Sequence, residues 1–169
     1  NNPLALIQYA KALIISGEVE EAVGLLEKLN KNFPENDDIK YNLSAAYREI
    51  GEFKKANKLS TELFNKDYKN VSYFMGFTKD INNKLHDRHI DYYNEKLESE
   101  DLNIEDKILI NYSFFEYFKN QKDYQKAGSY LKQSNDAQYA MKEFDLNYEK
   151  EFYEKLKKIF SKKLSFVCE

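Results

Sequence analysis

Apolar residues near the start of the chain recur three and four positions apart, which is the spacing of one face of an α-helix. Two such stretches flank Gly17, and the second ends before Pro34. Glycine readily adopts the left-handed conformation that often follows a helix, and proline cannot continue one. The apolar positions are Leu6, Tyr9, Ala10 and Leu13 in the first stretch, and Val19, Ala22, Val23, Leu26 and Leu29 in the second. The pattern therefore predicts a helix, a tight turn and a second helix.

The same pattern returns 34 residues later. The stretch "GEVEEAVGLLEKL" (17–29) is followed by "GEFKKANKLSTEL" (51–63), with the glycine, the alanine and two leucines in register. Ala22 and Ala56 serve close packing, because two helices approach to about 8–10 Å only where side chains are small. The repeated unit is therefore a helix, a turn, a helix and a loop.

Two later copies of the unit are weaker. Residues 74–81 carry apolar positions that predict a third first helix, with Leu85 at the position of the turn glycine. In a fourth copy Lys122 takes the glycine position and Ala127 takes the alanine position. The loop 98–106 accommodates the extra residues between these copies. Beyond them, an apolar stripe over 147–163 predicts a helix that covers the open side of the last pair.

The repeats resemble the tetratricopeptide repeat (TPR), whose pattern is W-x2-L-G-x2-Y…A-x3-F…P. The first copy reads Leu6-x2-Tyr9-Ala10-x2-Leu13…Ala22-x3-Leu26…Pro34, and the second reads Lys40-x2-Leu43-Ser44-x2-Tyr47…Ala56-x3-Ser60…Tyr68. The resemblance implies an all-α, right-handed superhelical solenoid of about four helix pairs plus a carboxy-terminal capping helix. We expect one domain over 1–164, with repeats at 3–36, 37–70, 71–107 and 108–141, the capping helix at 147–163 and a tail at 165–169.

The TPR resemblance also implies a concave groove, lined by the first helix of each pair, that holds a peptide or protein partner. Carried over by register, the candidate groove residues are Ile7, Lys11, Tyr41, Asn42, Arg48, Met75, Lys79, Tyr112 and Lys119. The alternative is an ordinary solvated helix face. Some related proteins bind the acidic tails of chaperones through a set of lysine, asparagine and arginine residues on these first helices. Only Asn42 matches that set in this sequence, which disfavours a chaperone tail as the ligand.

Composition narrows the function classes. The chain has 169 residues, 33% of them charged, and a net charge of −3, which favours neither nucleic acid nor a membrane surface as a partner. No apolar run approaches the ~20 residues of a membrane span. The single cysteine, Cys168, excludes an internal disulfide and favours the cytoplasm. The start "NNPLAL", without methionine, favours a segment of a longer protein.

The sequence offers little that resembles a catalytic or metal centre. His86 and His89 are three residues apart, but a zinc site usually takes three or four ligands from separate segments. Cys168 has no base near it in the sequence. The chain contains no nucleophile motif and no phosphate-binding glycine loop. We therefore expect no enzyme activity, no cofactor and no metal.

A narrower resemblance covers residues 109–161. This stretch is similar to the region that precedes the catalytic domain in bacterial TPR-containing sulfotransferases. The motifs that carry the likeness are Phe114-Phe115, Lys122-Asp123-Tyr124-Gln125-Lys126-Ala127, Ser134-Asn135, Phe144-Asp145 and Phe160-Ser161. It implies a non-catalytic accessory region of a larger protein. The alternative function is a structural module that self-associates through exposed end faces without a groove ligand.

Overall fold

The computed structural model describes residues 3–141, 150–151, 153–155 and 157–158. Within these ranges the chain forms α-helices and connecting turns, with no β-strand, which confirms the all-α solenoid predicted from the sequence. The helices are α1 (Pro3–Ser16), α2 (Val19–Asn32), α3 (Asp37–Glu49), α4 (Phe53–Lys66), α5 (Val71–Thr78), α6 (Asp87–Glu98), α7 (Ile104–Asn120) and α8 (Tyr124–Met141).

The chain divides into two compact units, which are Asn1–Gln138 and Tyr139–Glu169. The single domain over 1–164 and its repeat boundaries stay predictions. The predicted capping helix is described only at 150–151, 153–155 and 157–158, which are helical. The tail 165–169 lies outside the described residues.

Consecutive helix pairs stack in the way a repeat array requires. Helix α3 packs against both α1 and α2 of the preceding pair, and α5 packs in the same way against α3 and α4. Helix α7 then packs against α5 and α6. Each first helix thus contacts both helices of the pair before it, so that every pair covers an apolar face of its neighbour.

Three of the turns within pairs share one geometry. Gly17, Gly51 and Lys122 have φ angles of 90°, 82° and 63°, all in the left-handed region. In each turn the next N–H donates to a carbonyl five residues earlier: Glu18 to Leu13 at 2.9 Å, Glu52 to Tyr47 at 2.8 Å and Asp123 to Phe118 at 2.9 Å. This bond is the mark of a Schellman helix end. It confirms the turn positions predicted from the sequence, including the one that lacks glycine.

The third pair departs from this geometry. The apolar pattern predicts a first helix that includes Ile81, but α5 ends at Thr78 and the Ile81 side chain is 58% exposed. The Asn83 side chain donates to the carbonyl of Phe77 at 2.7 Å, which satisfies a carbonyl at the end of the helix. Leu85 does not form a tight turn; it lies at the end of the 79–86 connection, and its side chain is buried in the core.

Two hydrophobic cores of different composition run through residues 3–141. The first, here the aliphatic core, contains mainly leucine, isoleucine, valine and alanine from α1 to α4. The second, here the aromatic core, contains ring pairs such as Phe64–Phe77 and Phe74–Tyr93, stacked with centroids 4.1 and 3.9 Å apart. Helix α4 supplies both, through Ala56 in the aliphatic core and Phe64 in the aromatic core.

Candidate ligand groove

Six of the predicted groove residues lie on α3, at the end of α5 and on α7, which pack side by side. The name groove face is used below for this set: Tyr41, Arg48, Met75, Lys79, Tyr112 and Lys119. At its start the Tyr41 ring lies beside Tyr73 of α5, with centroids 6.3 Å apart. Burial raises the pKa of Tyr41, although a hydrogen bond with Ser72 acts in the opposite direction. Tyr41 therefore stays neutral and offers a half-buried ring to a partner.

Arg48 connects the first two of these helices. Its Nη2 donates to the carbonyl of Gly76 on α5, at 3.2 Å. Burial lowers the pKa of Arg48, whereas the carboxylates of Asp80 and Glu49 act to raise it. The guanidinium remains charged because its ordinary pKa is far above neutrality. It is thus a positioned and partly desolvated cation.

Lys79 directly follows α5 and reaches solvent. Partial desolvation of the ammonium group lowers the pKa of Lys79, and the charge of Arg48 lowers it further. Glu116 and Glu49 partly oppose this shift. Lys79 and Arg48 therefore repel each other across the groove face, and a bound anion would relieve that repulsion.

On α7 the carboxylate of Glu116 joins the groove face. Lys119 Nζ lies 2.7 Å from both oxygens of Glu116 and 5.0 Å from the centre of the Phe115 ring. The Tyr112 ring lies 5.5 Å from Phe115, and burial followed by the charge of Glu116 raises the pKa of Tyr112. The three-residue spacing of Glu116 and Lys119 was the available sequence signal for their contact.

Of the other three predicted groove residues, two are buried and one is exposed on α1. The Ile7 side chain belongs to the aliphatic core and is 3% exposed, so it offers no surface to a partner. Asn42 is 7% exposed, and its amide donates to the carbonyl of Asp38 at 2.6 Å, within its own helix. Lys11 is exposed on α1, which packs against α3. Met75, on the groove face, is half-buried.

Other site types find little support in the part of the chain that the structure describes. Among these residues no group of three or more His, Cys, Asp and Glu side chains is placed to hold a metal ion. None of the described helices combines the length and the apolar character needed to cross a membrane. His89 is buried against Phe64 and Tyr68, with ring centroids 5.0 and 4.9 Å away, and is therefore part of the aromatic packing.

Comparison with known proteins gives weak likenesses. No family model matches the chain, and no curated protein matches it. Two solved structures of MamA are similar, designated MSR-1 C2 and AMB-1 P212121, with 12% and 15% sequence identity. Both alignments have a TM-score of 0.49 and cover 84% of this chain, and they cover 80% and 76% of the MamA chains. The description as a TPR-like helical repeat therefore stands on the turns and the stacking of this chain itself.

Proposed function

We propose that this chain is a non-catalytic interaction module that binds a peptide or protein partner along the groove face. The observation that carries the proposal is the row of cations Arg48, Lys79 and Lys119, each at or near the end of a first helix. Lys119 is paired with Glu116 at 2.7 Å. Asp80, Glu49 and Glu116 act at longer range on Arg48 and Lys79, which repel each other. A carboxylate of the partner would bind between the latter two, and the rings of Tyr41 and Tyr112 would contact its apolar side chains.

A peptide array in matched pairs tests this groove. Each acidic peptide is paired with a version in which glutamine and asparagine replace glutamate and aspartate. The chain should retain the acidic members, and the double variant Arg48→Gln/Lys79→Gln should bind them about tenfold or more weakly, because two charge-assisted contacts are lost. Lys28→Gln/Lys132→Gln removes two exposed cations of α2 and α8 and is the matched control. Equal losses in the two double variants would contradict the groove.

The second candidate, self-association, is favoured by apolar side chains on α1. Tyr9 is 52% exposed and Ile15 is 86% exposed. In a repeat array, exposed apolar side chains of this kind are where another copy could stack. Sedimentation over a range of concentrations tests this candidate. A monomer at the highest concentration, unchanged by Tyr9→Ser/Ile15→Ser, would speak against it.

The wider context that we propose is the accessory region of a bacterial TPR-sulfotransferase, in which the groove presents a protein or glycan acceptor. The support is the motif order over 109–161. Of these motifs, the structure describes Phe114-Phe115, the left-handed Lys122 with the buried Ala127, and Ser134-Asn135, whereas Phe144-Asp145 and Phe160-Ser161 lie outside the described residues. We also propose a cytoplasmic location, from the single cysteine. A reading frame with no phosphosulfate loop rich in Gly, Arg, Ser and Thr beyond this segment would remove the sulfotransferase proposal.

A further inference from the structure

A cavity of about 420 Å³ lies on a different side of α3 from the groove face. It is open to solvent on one side and is lined by the end of α2, the loop that follows it, α3 and α4. Tyr47 lines it, and Arg48 of the groove face, one residue later, projects about 100° away around the helix. The volume falls within the range of about 300–1,000 Å³ that small-ligand sites occupy. The name α2–α4 cleft is used below for this cavity.

The inner wall of the α2–α4 cleft is apolar and rigid. Leu43 and Leu59 line it together with the ring of Tyr47. The Tyr47 hydroxyl donates to Glu27 at 2.6 Å, which fixes the ring. Burial and then the Glu27 contact raise the pKa of Tyr47 to about 12, so this wall carries no charge at neutral pH. The wall suits a branched aliphatic side chain.

Lysines at the rim give the cleft a cationic edge. Lys55 Nζ lies 5.1 Å from the centre of the Tyr47 ring, and its contact with Glu52, at 3.7 Å, is exposed. Lys58 is exposed, and no ion pair involves it among the residues that the structure describes.

Two carboxylates also line the rim. Glu62 is bound by Lys40, and Glu35 lies within electrostatic reach of Lys66, which Asp37 already binds at 2.6 Å. Beyond the Lys40–Glu62 pair, the rim therefore carries the cations of Lys55 and Lys58 and the carboxylate of Glu35.

A buried amide completes the set of contacts. The Asn30 side chain lines the cleft, and its buried Oδ1 has no hydrogen-bond partner among the residues that the structure describes. A buried polar atom without a partner costs free energy, and a rotation of the Asn30 side chain toward the cleft would let a ligand supply the missing bond. An acylated amino group would supply it whichever way the Asn30 amide is turned, because that group contains both an N–H donor and a carbonyl acceptor.

We propose that the α2–α4 cleft binds a small N-acylated aliphatic amino acid. This binding is independent of peptide binding at the groove face. The aliphatic side chain packs on Leu43, Leu59 and Tyr47. The amide group bonds to Asn30, and the free carboxylate lies between Lys55 and Lys58. Each part of the ligand thus meets one feature of the cleft.

The test uses N-acetyl-leucine as the probe and N-acetyl-leucinamide as its neutral twin. In a titration followed by the backbone NMR signals, the acid should shift the amides of Lys55, Lys58 and Leu59 and leave those of Arg48 and Lys79 unchanged. The neutral twin should bind about tenfold more weakly, because it lacks the charge that the two lysines bind. Equal binding of acid and twin, or shifts spread evenly over the surface, would overturn the proposal.

Variants separate the cleft from the groove. Lys58→Gln should weaken the acid about fivefold and leave the neutral twin unaffected. The control Lys54→Gln removes a neighbouring exposed cation that does not line the cleft, and it should change neither affinity. Arg48→Gln/Lys79→Gln should leave N-acetyl-leucine binding intact even if it abolishes peptide binding. Equal effects of Lys58→Gln and Lys54→Gln would contradict the site.

A final comparison distinguishes a small ligand from a peptide end. A tetrapeptide that ends in leucine with a free carboxylate contains the same chemistry. The small-ligand proposal expects it to bind no more tightly than N-acetyl-leucine, because the preceding residues would lie outside the cleft. Binding about tenfold tighter would overturn the small-ligand assignment and identify a peptide carboxyl terminus as the occupant.

Discussion

Replacing Lys122 with glycine should stabilise the protein. Lys122 has a φ of 63° in the turn geometry that Gly17 and Gly51 adopt at 90° and 82°. A left-handed residue with a Cβ costs about 1–2 kcal/mol, and this strain is absent in glycine. Glycine also gains freedom in the unfolded chain, which costs the folded state about 0.5–1 kcal/mol. The net gain for Lys122→Gly is therefore about 0.5–1 kcal/mol in the free energy of unfolding.

Thermal and urea unfolding measure this gain. A gain of this size raises the Tm by about 1–4 °C in a chain of this length. Lys122→Ala is the control, because it removes the exposed amine and stem but keeps the Cβ, and it should stay within about 0.5 kcal/mol of the original. Gly51→Ala should lose about 1 kcal/mol, since a Cβ there meets nothing within 4 Å and only the backbone conformation opposes it. If Lys122→Gly were no more stable than Lys122→Ala, the strain argument would be refuted.

Three further predictions concern the aromatic core. Tyr93→Phe should cost about 1–2 kcal/mol in urea unfolding, because the Tyr93 hydroxyl donates to the carbonyl of Tyr68 at 2.7 Å; an unchanged midpoint would show that water replaces the bond. Phe74→Ala should cost about 3–5 kcal/mol, because Phe74 is fully buried and stacked on Tyr93; a loss below about 1 kcal/mol would mean that the core collapses around the gap. Burial, followed by the charge of Arg88, lowers the pKa of His89, so the folded state favours the neutral imidazole. Stability should therefore be full above about pH 6.5 and decline as the pH falls from there through the lowered pKa. His89→Gln should flatten the curve of unfolding free energy against pH between about 5 and 7, and an unchanged slope would assign it to other groups.

The repeated turns were predictable because one local requirement sets them. A left-handed residue between two apolar stripes marks the turn, and the 34-residue period carries the position of Gly17 to Gly51. The fourth turn followed from register although lysine occupies it. The third was not predictable, because α5 ends where the Asn83 side chain reaches back to Phe77. Such a bond depends on the path of the connection, which periodicity does not encode.

The groove was predictable in part for a similar reason. Register along α3 and α7 indicated that Arg48 and Lys119 reach the surface, where both are half-buried, but it gave no sign that Ile7 would be buried. Helix α1 has apolar residues on several sides, so its pattern does not distinguish the core face from the outer one. The α2–α4 cleft was beyond sequence reasoning, because Asn30 and Lys58 meet there only through the packing of separate helices.

Helix α4 supplies residues to both cores, and this double membership has a consequence for hydrogen exchange. In a repeat array, cooperativity passes between neighbours through shared elements. Ala56 links α4 to the aliphatic core and Phe64 links it to the aromatic core. While α4 couples the two cores, the amide protons of α2 and α7 should therefore exchange through the same cooperative opening, with the same free energy of opening. A destabilised α4 would divide the array into two segments that open independently, each at its own rate.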